Sequence, residues 1–362
     1  MDSLCEMTAT DLRRMIGRKD ISPVEIVEAS IERIETTDPS LNAVVTKNYE
    51  GARKAAKAAE KDVLDGEMLG LLHGLPIGIK DLEATAGLRT TLGSRLYADH
   101  VPTTDQGVVS NVREAGGVIL GKTNTPEFGA GANTRNLLFG ATGNPFNPAK
   151  TCGGSSGGSA VALAAGMVSL ASGSDYGGSL RTPAGFCGVV GIRPSPGIVA
   201  AETRPVGLLP FSVLGPMGRT VEDANLLLQA QMGPNPHDPF STMFLDELTQ
   251  PLEPADLGCI RAMLSADLGI AAMSNDYRKI FSERTKIFQH HFAHAFTGNP
   301  DFTHGDNAFE VLRGVNFVAA HGGRVRNHRD ELSPNVVDNV DRGLSYSLSD
   351  VAEAHLQQTQ IA

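Results

Sequence analysis

The sequence predicts an α/β fold in which a large mixed, mainly parallel β-sheet is covered by helices on both faces. Between about residues 66 and 200, short apolar runs alternate with helical patterns, which is typical of parallel strands joined by crossover helices. The apolar runs are continuous rather than alternating with polar residues, as expected for strands buried on both faces. Glycine accounts for 40 of 362 residues, compared with a usual share of about 7%, which indicates many tight turns.

The first 65 residues are predicted to form an N-terminal helical segment that packs on this core. Residues 22–34 read SPVEIVEASIERI, in which Ser22 is the predicted N-cap, Pro23 the first helical residue and Glu25 the partner in a capping box. Apolar residues then recur at helical spacing. Residues 50–64, EGARKAAKAAEKDVL, predict an alanine-rich helix with a charged outer face.

The central segment, residues 66–232, contains the predicted strands. GLPIGIKD at 74–81 predicts a short buried strand that runs into a turn. TDQGVVSNVREAGGVILGKTN at 104–124 predicts a helix, a glycine stop and a buried strand, and GGSAVALAAGMVSLASGSD at 157–175 repeats that order. CGVVGIRPS at 187–195 predicts a further strand. Strands separated by helices in this way pair in parallel.

Residues 233–362 are predicted to form a more helical C-terminal part. Helical patterns occur in TVEDANLLLQAQM at 220–232, DYRKIFSERTKIFQHHFAHAF at 276–296 and DNAFEVLRGVNFVAA at 306–320. The Pro-rich MGPNPHDPFS at 232–241 either divides this part from the core or forms a long surface loop, and both interpretations are open.

Composition and charge argue against several classes of function. The formal net charge of −10 provides no basic surface, so no direct binding of nucleic acid is expected. The N-terminus carries acidic residues and lacks a long apolar core, and no run approaches about eighteen apolar residues, so we expect neither a secretory signal nor a membrane segment. Four widely spaced cysteines are typical of reduced thiols. These observations predict a cytoplasmic protein.

Two glycine–serine islands carry the candidate chemistry: TCGGSSGGSA at 151–160 and SDYGGSLR at 174–181. The first has the composition of a flexible linker, but the apolar run beside it argues against that alternative. A serine nucleophile needs a base, and none of the ten histidines lies near either island in the sequence. Lys80 ends the apolar strand at 74–81, where burial would favour the neutral amine that acts as a base. The alternative for Lys80 is a solvated strand end.

These motifs resemble those of the amidase signature family in order and spacing. The resemblance extends over roughly residues 8–325 and is carried by GLPIGIKD, GKTNTPEFG, GNPFNPAKTCGGSSGGSAVALAAGM and SGSDYGGSLRTPAGFCGVVGIRPS. It implies the amidase signature fold, with residues 66–232 as the catalytic core. It also implies a triad in which Ser179 is the nucleophile, Ser155 the bridging serine and Lys80 the base, with a cis peptide bond at Gly154–Ser155.

The resemblance also implies roles for residues around this triad, and simple scaffolding of the loops is the alternative for the supporting and substrate-binding ones. Backbone N–H groups that precede the nucleophile, with its own N–H, would form an oxyanion hole. The residues concerned are Tyr176, Gly177 and Gly178 for the oxyanion hole, Ser156, Asp175 and Arg181 for support, and Asn133 and Thr151 for substrate binding.

Other motifs have simpler interpretations. His290 and His294 are four residues apart, so one helix face would present both to a metal ion. The motif lacks the glutamate of zinc proteases, however, and we expect neither a metal site nor a cofactor. Cys152 is predicted to be a small buried side chain rather than a reactive thiol, and Cys187 to belong to the core.

Three functions are consistent with the sequence. The first is an amidase that hydrolyses the carbon–nitrogen bond of a small-molecule amide through an acyl-enzyme on Ser179. The second is the A-type glutaminase subunit of a tRNA-dependent amidotransferase, which releases ammonia for a partner subunit. The third is a truncated, non-catalytic family member, because members usually continue past the point where this chain ends. A homodimer or amidotransferase partner subunits are the assemblies that these alternatives allow.

Overall fold

A mixed sheet of six strands carries two residues of the predicted site, Lys80 and Asp175, each at the end of a strand. The computed structural model describes residues 2–241 and 246–361. Its strands are β1 (Val44–Lys47), β2 (Pro76–Lys80), β3 (Val118–Thr123), β4 (Arg135–Asn136), β5 (Gly140–Ala141), β6 (Leu170–Asp175), β7 (Val190–Gly191), β8 (Val213–Gly218), β9 (Arg261–Leu264) and β10 (His294–Thr297). Its α-helices are α1 (Asp2–Glu6), α2 (Ala9–Gly17), α3 (Pro23–Leu41), α4 (Tyr49–Asp65), α5 (Gly107–Glu114), α6 (Gly157–Ala164), α7 (Arg181–Cys187), α8 (Val221–Gln231), α9 (Asn275–Phe288), α10 (Gly305–His328), α11 (Pro334–Ser345) and α12 (Leu348–Ile361).

The strand order of the large sheet is β1-β3-β2-β6-β8-β7. The central strands β3, β2 and β6 pair in parallel, whereas β1, β8 and β7 add antiparallel pairs on either side. Helix α5 joins β2 to β3 and helix α6 lies between β3 and β6 in the chain, so the predicted alternation of helices and strands is confirmed at the centre. The mixed α/β sheet is therefore as expected, but it is not mainly parallel: parallel pairing is confined to the three central strands, and the three outer pairs are antiparallel.

Helices cover both faces of this sheet, which is also as predicted. Adjacent residues of a strand point to opposite faces, and accordingly Ile119 and Leu120 belong to different apolar clusters. One cluster contains buried residues of α2, α5 and α8, and the other contains those of α6 and α7. Because Ile79 belongs to the first cluster, the next residue, Lys80, points to the face that carries α6.

The predicted start of the first long helix is confirmed in detail. Ser22 Oγ accepts a hydrogen bond from the Val24 N–H at 2.9 Å, and the Ser22 N–H donates to Glu25 Oε2 at 2.8 Å. Pro23 occupies the first helical position, so α3 begins with the expected capping box.

One predicted helix is too long, and one predicted strand is short. The helical pattern at 276–296 continues through His294, but α9 ends at Phe288 and β10 begins at His294. Apolar residues four apart, Phe288, Phe292 and Phe296, imitate helical periodicity there. The prediction that His290 and His294 share a helix face is therefore wrong. The strand predicted at 187–195 is reduced to the two residues of β7.

The described residues form two compact units. One contains the residues up to Gln250 together with Gly323–Asp338, and the other contains Pro251–Gly322 together with the residues from Asn339 onward. The six-stranded sheet belongs to the first unit, and the parallel pair of β9 and β10 belongs to the second. The division into segments 1–65, 66–232 and 233–362 stays a prediction. Within the described residues, every helix is too short or too polar to cross a membrane.

Gly158 in α6 is expected to tolerate no side chain. A Cβ at Gly158 would lie 2.2 Å from the Asn124 backbone nitrogen and 2.8 Å from the Ala43 carbonyl oxygen. Alanine favours helices by about 1 kcal/mol over glycine, yet we expect G158A to lower the free energy of unfolding by about 1–3 kcal/mol because of this overlap. Urea denaturation measures the change. G185A in α7 is the control, because a Cβ there meets no atom within 4 Å, and equal losses in the two variants would contradict the prediction.

Candidate active site

Lys80 ends β2 as a fully buried side chain among serine hydroxyls. Its Nζ lies 2.7 Å from Ser155 Oγ, 2.8 Å from Ser156 Oγ and 2.9 Å from Ser174 Oγ. The Lys80 side chain is 0% exposed, so the alternative of a solvated strand end is wrong. The predicted contact between Lys80 and Ser155 is present.

The environment of Lys80 favours a neutral amine near neutral pH. Burial lowers the pKa of Lys80 to about 7, because an ammonium ion loses its hydration there. The negative charges of Glu83 and Asp175 act in the opposite direction and limit the shift. This lysine therefore changes between its charged and neutral forms in the pH range in which a general base is most useful.

The first glycine–serine island is a buried loop with defined hydrogen bonds, so the linker interpretation is wrong. Gly153 has a φ of +75°, in the left-handed region that favours glycine. A Cβ on Gly154 would lie 3.0 Å from the backbone of a neighbouring loop. Thr134 Oγ1 donates to the Gly153 carbonyl at 2.9 Å and accepts from the Gly157 N–H at 3.0 Å. The Gly154–Ser155 peptide bond is cis, as the resemblance implied.

Ser179 lies in the turn between β6 and α7, where its side chain is partly exposed. The Ser179 carbonyl accepts a hydrogen bond from the Ser156 N–H at 3.1 Å, which joins the two glycine–serine islands directly. Lys80 and Ser155 are thus in side-chain contact, and Ser179 is joined to the same loop through its backbone. The structure brings the three residues into one site, and their catalytic roles stay predictions.

Asp175 holds the turn that carries Ser179. This fully buried carboxylate accepts hydrogen bonds from the Gly178 N–H at 2.8 Å and the Leu180 N–H at 3.1 Å. Arg181 adds two hydrogen bonds, at 3.0 and 3.1 Å, and Arg193 adds one at 3.1 Å. Burial alone would raise the pKa of Asp175, but the Arg181 guanidinium and the backbone donors outweigh it and lower the pKa to about 2. Asp175 is therefore ionised at neutral pH.

The residues predicted to form the oxyanion hole lie in this same turn. The Gly178 N–H already donates to Asp175 Oδ1, which argues against its predicted role as an oxyanion donor. Its φ of +109° is one that glycine adopts without strain, and this conformation shapes the turn. The Tyr176 ring packs against Phe211, with ring centroids 5.5 Å apart. The roles of Tyr176 and Gly177 as donors stay predictions.

The two predicted substrate-binding residues contact each other at the surface. Thr151 Oγ1 donates to Asn133 Oδ1 at 2.6 Å and accepts from the Gly153 N–H at 3.1 Å. Both residues are exposed. They therefore support the outer end of the first island, and their contact with substrate stays a prediction.

Several residues of the site were not predicted. Ser174 is a third hydroxyl partner of Lys80, and Ser172 accepts a hydrogen bond from the Lys80 backbone N–H at 3.0 Å. Serines two apart in a buried strand share one face, and that spacing in LASGSD was the signal available in the sequence. Glu83 and Lys122 are also buried beside this site. Lys122 lies within the predicted strand β3, whereas Glu83 follows the end of β2, where an acidic residue gives no sequence signal of burial.

The remaining candidate groups lie outside this chemistry. Cys152 and Cys187 are buried, as predicted, and burial raises their thiol pKa values to about 11 and about 12. Both thiols are therefore protonated at neutral pH and unreactive. In the part of the chain that the structure describes, no three histidine, cysteine or carboxylate side chains are grouped so as to hold a metal ion.

Comparison with known proteins places this architecture in one family. The sequence profile of the Amidase family matches residues 25–290. The A-type subunit of the glutamyl-tRNA(Gln) amidotransferase of Carboxydothermus hydrogenoformans is 38% identical over 294 residues, which cover 78% of this chain and 60% of that protein. An acylamidase of Rhodococcus erythropolis is 36% identical over 283 residues, which cover 78% of this chain and 59% of that protein. The chain therefore spans about three fifths of the length of these relatives.

Solved structures agree with this placement. The crystal structure of a bacterial aryl acylamidase of the amidase signature family superimposes with a TM-score of 0.86 and 30% identity, covering 98% of this chain and 75% of that one. The profile match covers more than half of the chain and includes both glycine–serine islands and Lys80. On the evidence of the fold, the motifs and these similarities, the chain belongs to the amidase signature family.

Proposed function

We propose that this chain hydrolyses the carbon–nitrogen bond of a small carboxamide through an acyl-enzyme on Ser179, with Ser155 and neutral Lys80 as the proton relay. The observation that carries the proposal is the 2.7 Å hydrogen bond between Lys80 Nζ and Ser155 Oγ in a fully buried position. A buried amine with a lowered pKa is a competent general base. The family relationship supports the same assignment.

The hydroxyl groups around Lys80 favour proton transfer through Ser155. A neutral amine has two N–H donors and one lone pair, so one of its three hydroxyl neighbours must donate to it. Ser156 directs its hydroxyl toward the Ser174 carbonyl at 3.3 Å, and is therefore placed to accept from Lys80. Ser155 and Ser174 remain as hydroxyls that could donate to Lys80, and we assign the bridging role to Ser155 because the family resemblance gives it that role; its oxygen is then left to accept the proton of Ser179.

The reaction follows from these roles. Ser179 Oγ forms a bond to the amide carbon while its proton passes to Ser155 and the Ser155 proton passes to Lys80. Collapse of the tetrahedral intermediate breaks the carbon–nitrogen bond, and the relay returns a proton to the departing amine. Water then attacks the acyl ester by the same route and releases the carboxylic acid. Backbone N–H groups of Tyr176, Gly177 and Ser179 are the proposed donors to the oxyanion.

A second candidate function is that of the glutaminase subunit in an amidotransferase. The 38% identity to the A-type subunit of a glutamyl-tRNA(Gln) amidotransferase favours it. The amide would then be glutamine and the leaving group ammonia, and partner subunits would hold the tRNA, in keeping with the net charge of −10. Glutaminase activity that rises on addition of such subunits would support this function, whereas hydrolysis of anilides by the chain alone would support the first.

Labelling of the nucleophile tests whether the chain is an enzyme at all. A fluorophosphonate probe, which reacts with activated serines, is expected to modify the wild type at Ser179, and a panel of small carboxamides is expected to include a substrate. S179A should lose both properties because it removes the attacking oxygen. S40A is the control, because Ser40 is exposed on α3. Intact-mass spectrometry and amine release measure the two properties.

The outcome separates the proposed function from the third alternative. Labelling and hydrolysis in the wild type and in S40A, with neither in S179A, would support an acyl-enzyme on Ser179. A folded wild type that neither reacts with the probe nor hydrolyses any amide would contradict the proposal and support a non-catalytic family member.

A further inference from the structure

Glu83 is a buried carboxyl group that the proposed reaction does not use. It follows Lys80 by three residues, its N–H donates to the Lys80 carbonyl at 3.0 Å, and its side chain is 1% exposed. Its Oε2 accepts the hydroxyl hydrogen of Ser172. Its Oε1 is buried without a hydrogen-bond partner among the described residues. Such a group is costly to bury, so its presence beside Lys80 calls for a reason.

A chain of hydrogen bonds connects Glu83 with the backbone of Lys80. The Lys80 N–H donates to Ser172 Oγ at 3.0 Å, and Ser172 in turn donates its only hydroxyl hydrogen to Glu83. Ser172 lies in β6, on the strand that also carries Ser174. The carboxyl is therefore fixed relative to both strands from which the surroundings of Lys80 are built.

The other charged groups nearby have bonded partners of their own. Asp175 pairs with Arg181 and Arg193. Lys122 donates to the Glu83 carbonyl and to Thr85 Oγ1, and it also lies in the fields of Asp81, of the Glu83 carboxylate and of the Asp105–Arg113 ion pair. Within the described ranges, no cation forms an ion pair with the Glu83 carboxylate itself. Of the two acidic groups that act on Lys80, Glu83 is the one whose charge lacks a bonded counterion.

We propose that Glu83 is a positioning residue that sets the proton affinity of Lys80, and this inference rests on the proposed function of Lys80 as the base. An ionised carboxylate at this place favours the ammonium form of Lys80, whereas a neutral carboxyl favours the amine. In a buried cluster the two groups titrate together. The number of protons that the pair holds therefore determines the pH at which Lys80 is in its amine form. Burial raises the pKa of Glu83 to about 7, although Ser172 and the two lysines oppose this.

The wild type provides the reference for a test. Because only the amine form of Lys80 accepts a proton, the rate constant for labelling of Ser179 by a fluorophosphonate should rise with pH and reach half its plateau near pH 7. This readout requires no knowledge of the natural amide. It is measured on the full chain between about pH 5 and about pH 9.

Glu83→Gln removes the charge and retains the shape of the side chain. We expect the midpoint of the labelling profile to move to lower pH by about one unit, which is about a tenfold fall in proton affinity, with a plateau close to that of the wild type. E83D keeps the negative charge, so its midpoint should lie closer to the wild-type value than that of E83Q. D223N is the control, because Asp223 is also fully buried, with Oδ1 bonded to the Thr10 N–H at 3.0 Å and Oδ2 unpartnered among the described residues.

The outcomes are distinct. A lower midpoint in E83Q, with E83D and D223N near the wild type, would support the proposal. An unmoved midpoint in E83Q, whatever the plateau, would show that Glu83 is merely structural and would overturn it. If E83Q does not fold by circular dichroism, S172A decides, because loss of the hydrogen bond to the carboxylate should shift the midpoint in the same direction by a smaller amount. Absence of labelling in the wild type would instead overturn the proposed function, and this inference with it.

Discussion

Replacing Lys80 with methionine is expected to reduce kcat/KM for amide hydrolysis by about 10⁴-fold or more in a chain that still folds. Methionine has a similar length, is flexible and fills the buried position without a charge. Its thioether does not accept the proton that Ser155 must pass on, so Ser179 is left without a base. The difference in kcat/KM between the wild type and K80M should be clear at about pH 8, where the amine form of Lys80 predominates in the wild type.

Lys122→Met is the matched control for this substitution. Lys122 is also 0% exposed and lies on β3, in register with Ile79 of β2. Its Nζ bonds to the Glu83 carbonyl and to Thr85 Oγ1 rather than to a predicted triad residue. We expect K122M to lose stability comparably and yet to keep kcat/KM within about tenfold of the wild type. A folded K80M with wild-type activity, or equal losses in both variants, would show that Lys80 is not the base.

The central strands were predictable because local sequence specifies them. Residues 76–80 and 118–123 are buried along their whole length, and the continuous apolar runs there predicted this burial. Strands β1 and β8 were not predicted. β8 reads VLGPMG, in which glycine and proline weaken the strand pattern, and its place in the sheet depends on pairing with β6, a contact of long range.

The candidate site shows the same division between local and long-range information. The burial of Lys80 was predictable because this residue ends an apolar strand. A tight turn at Gly153 was predictable because glycine favours the left-handed backbone region, and the φ of +75° lies there. Glu83 was not predictable, because an acidic residue three positions after a lysine is ordinarily solvated. Its burial follows from the parallel pairing of β2 with β6, which brings Ser172 within hydrogen-bonding reach.

Asp175→Asn is expected to lower kcat/KM by about 10²–10³-fold, because small displacements of a nucleophile are sufficient for losses of that size. In the wild type, the N–H groups of Gly178 and Leu180 and the guanidinium of Arg181 all donate to the carboxylate. Asparagine has the same shape, but its NH₂ group is itself a donor and would face these donors without an acceptor between them. The turn that carries Ser179 must therefore rearrange. The free energy of unfolding should also fall by about 3 kcal/mol, toward the lower end of the range for broken buried pairs because the Arg181 side chain is 56% exposed.

The same substitution should change how stability depends on pH. The pKa of Asp175 is about 2 in the folded protein, compared with about 3.9 for an unfolded chain. The carboxylate therefore stabilises the wild type fully above about pH 4, and this contribution is lost as the pH falls toward about 2. D175N lacks a titrating group at this position, so its unfolding free energy should depend less on pH in this interval. Urea denaturation at several pH values measures the difference.

Asp238→Asn separates the effect on the nucleophile from a general loss of stability. Asp238 is likewise fully buried, pairs with Arg204 at 3.2 Å and accepts the Ala201 N–H at 2.8 Å, but it contacts none of the predicted catalytic residues. D238N should lose at least as much stability as D175N, because the Arg204 side chain is only 3% exposed, while only D175N loses most of its kcat/KM and its labelling by a fluorophosphonate. If D238N lost as much activity as D175N, or if folded D175N kept the wild-type rate, Asp175 would be a structural carboxylate that does not position Ser179.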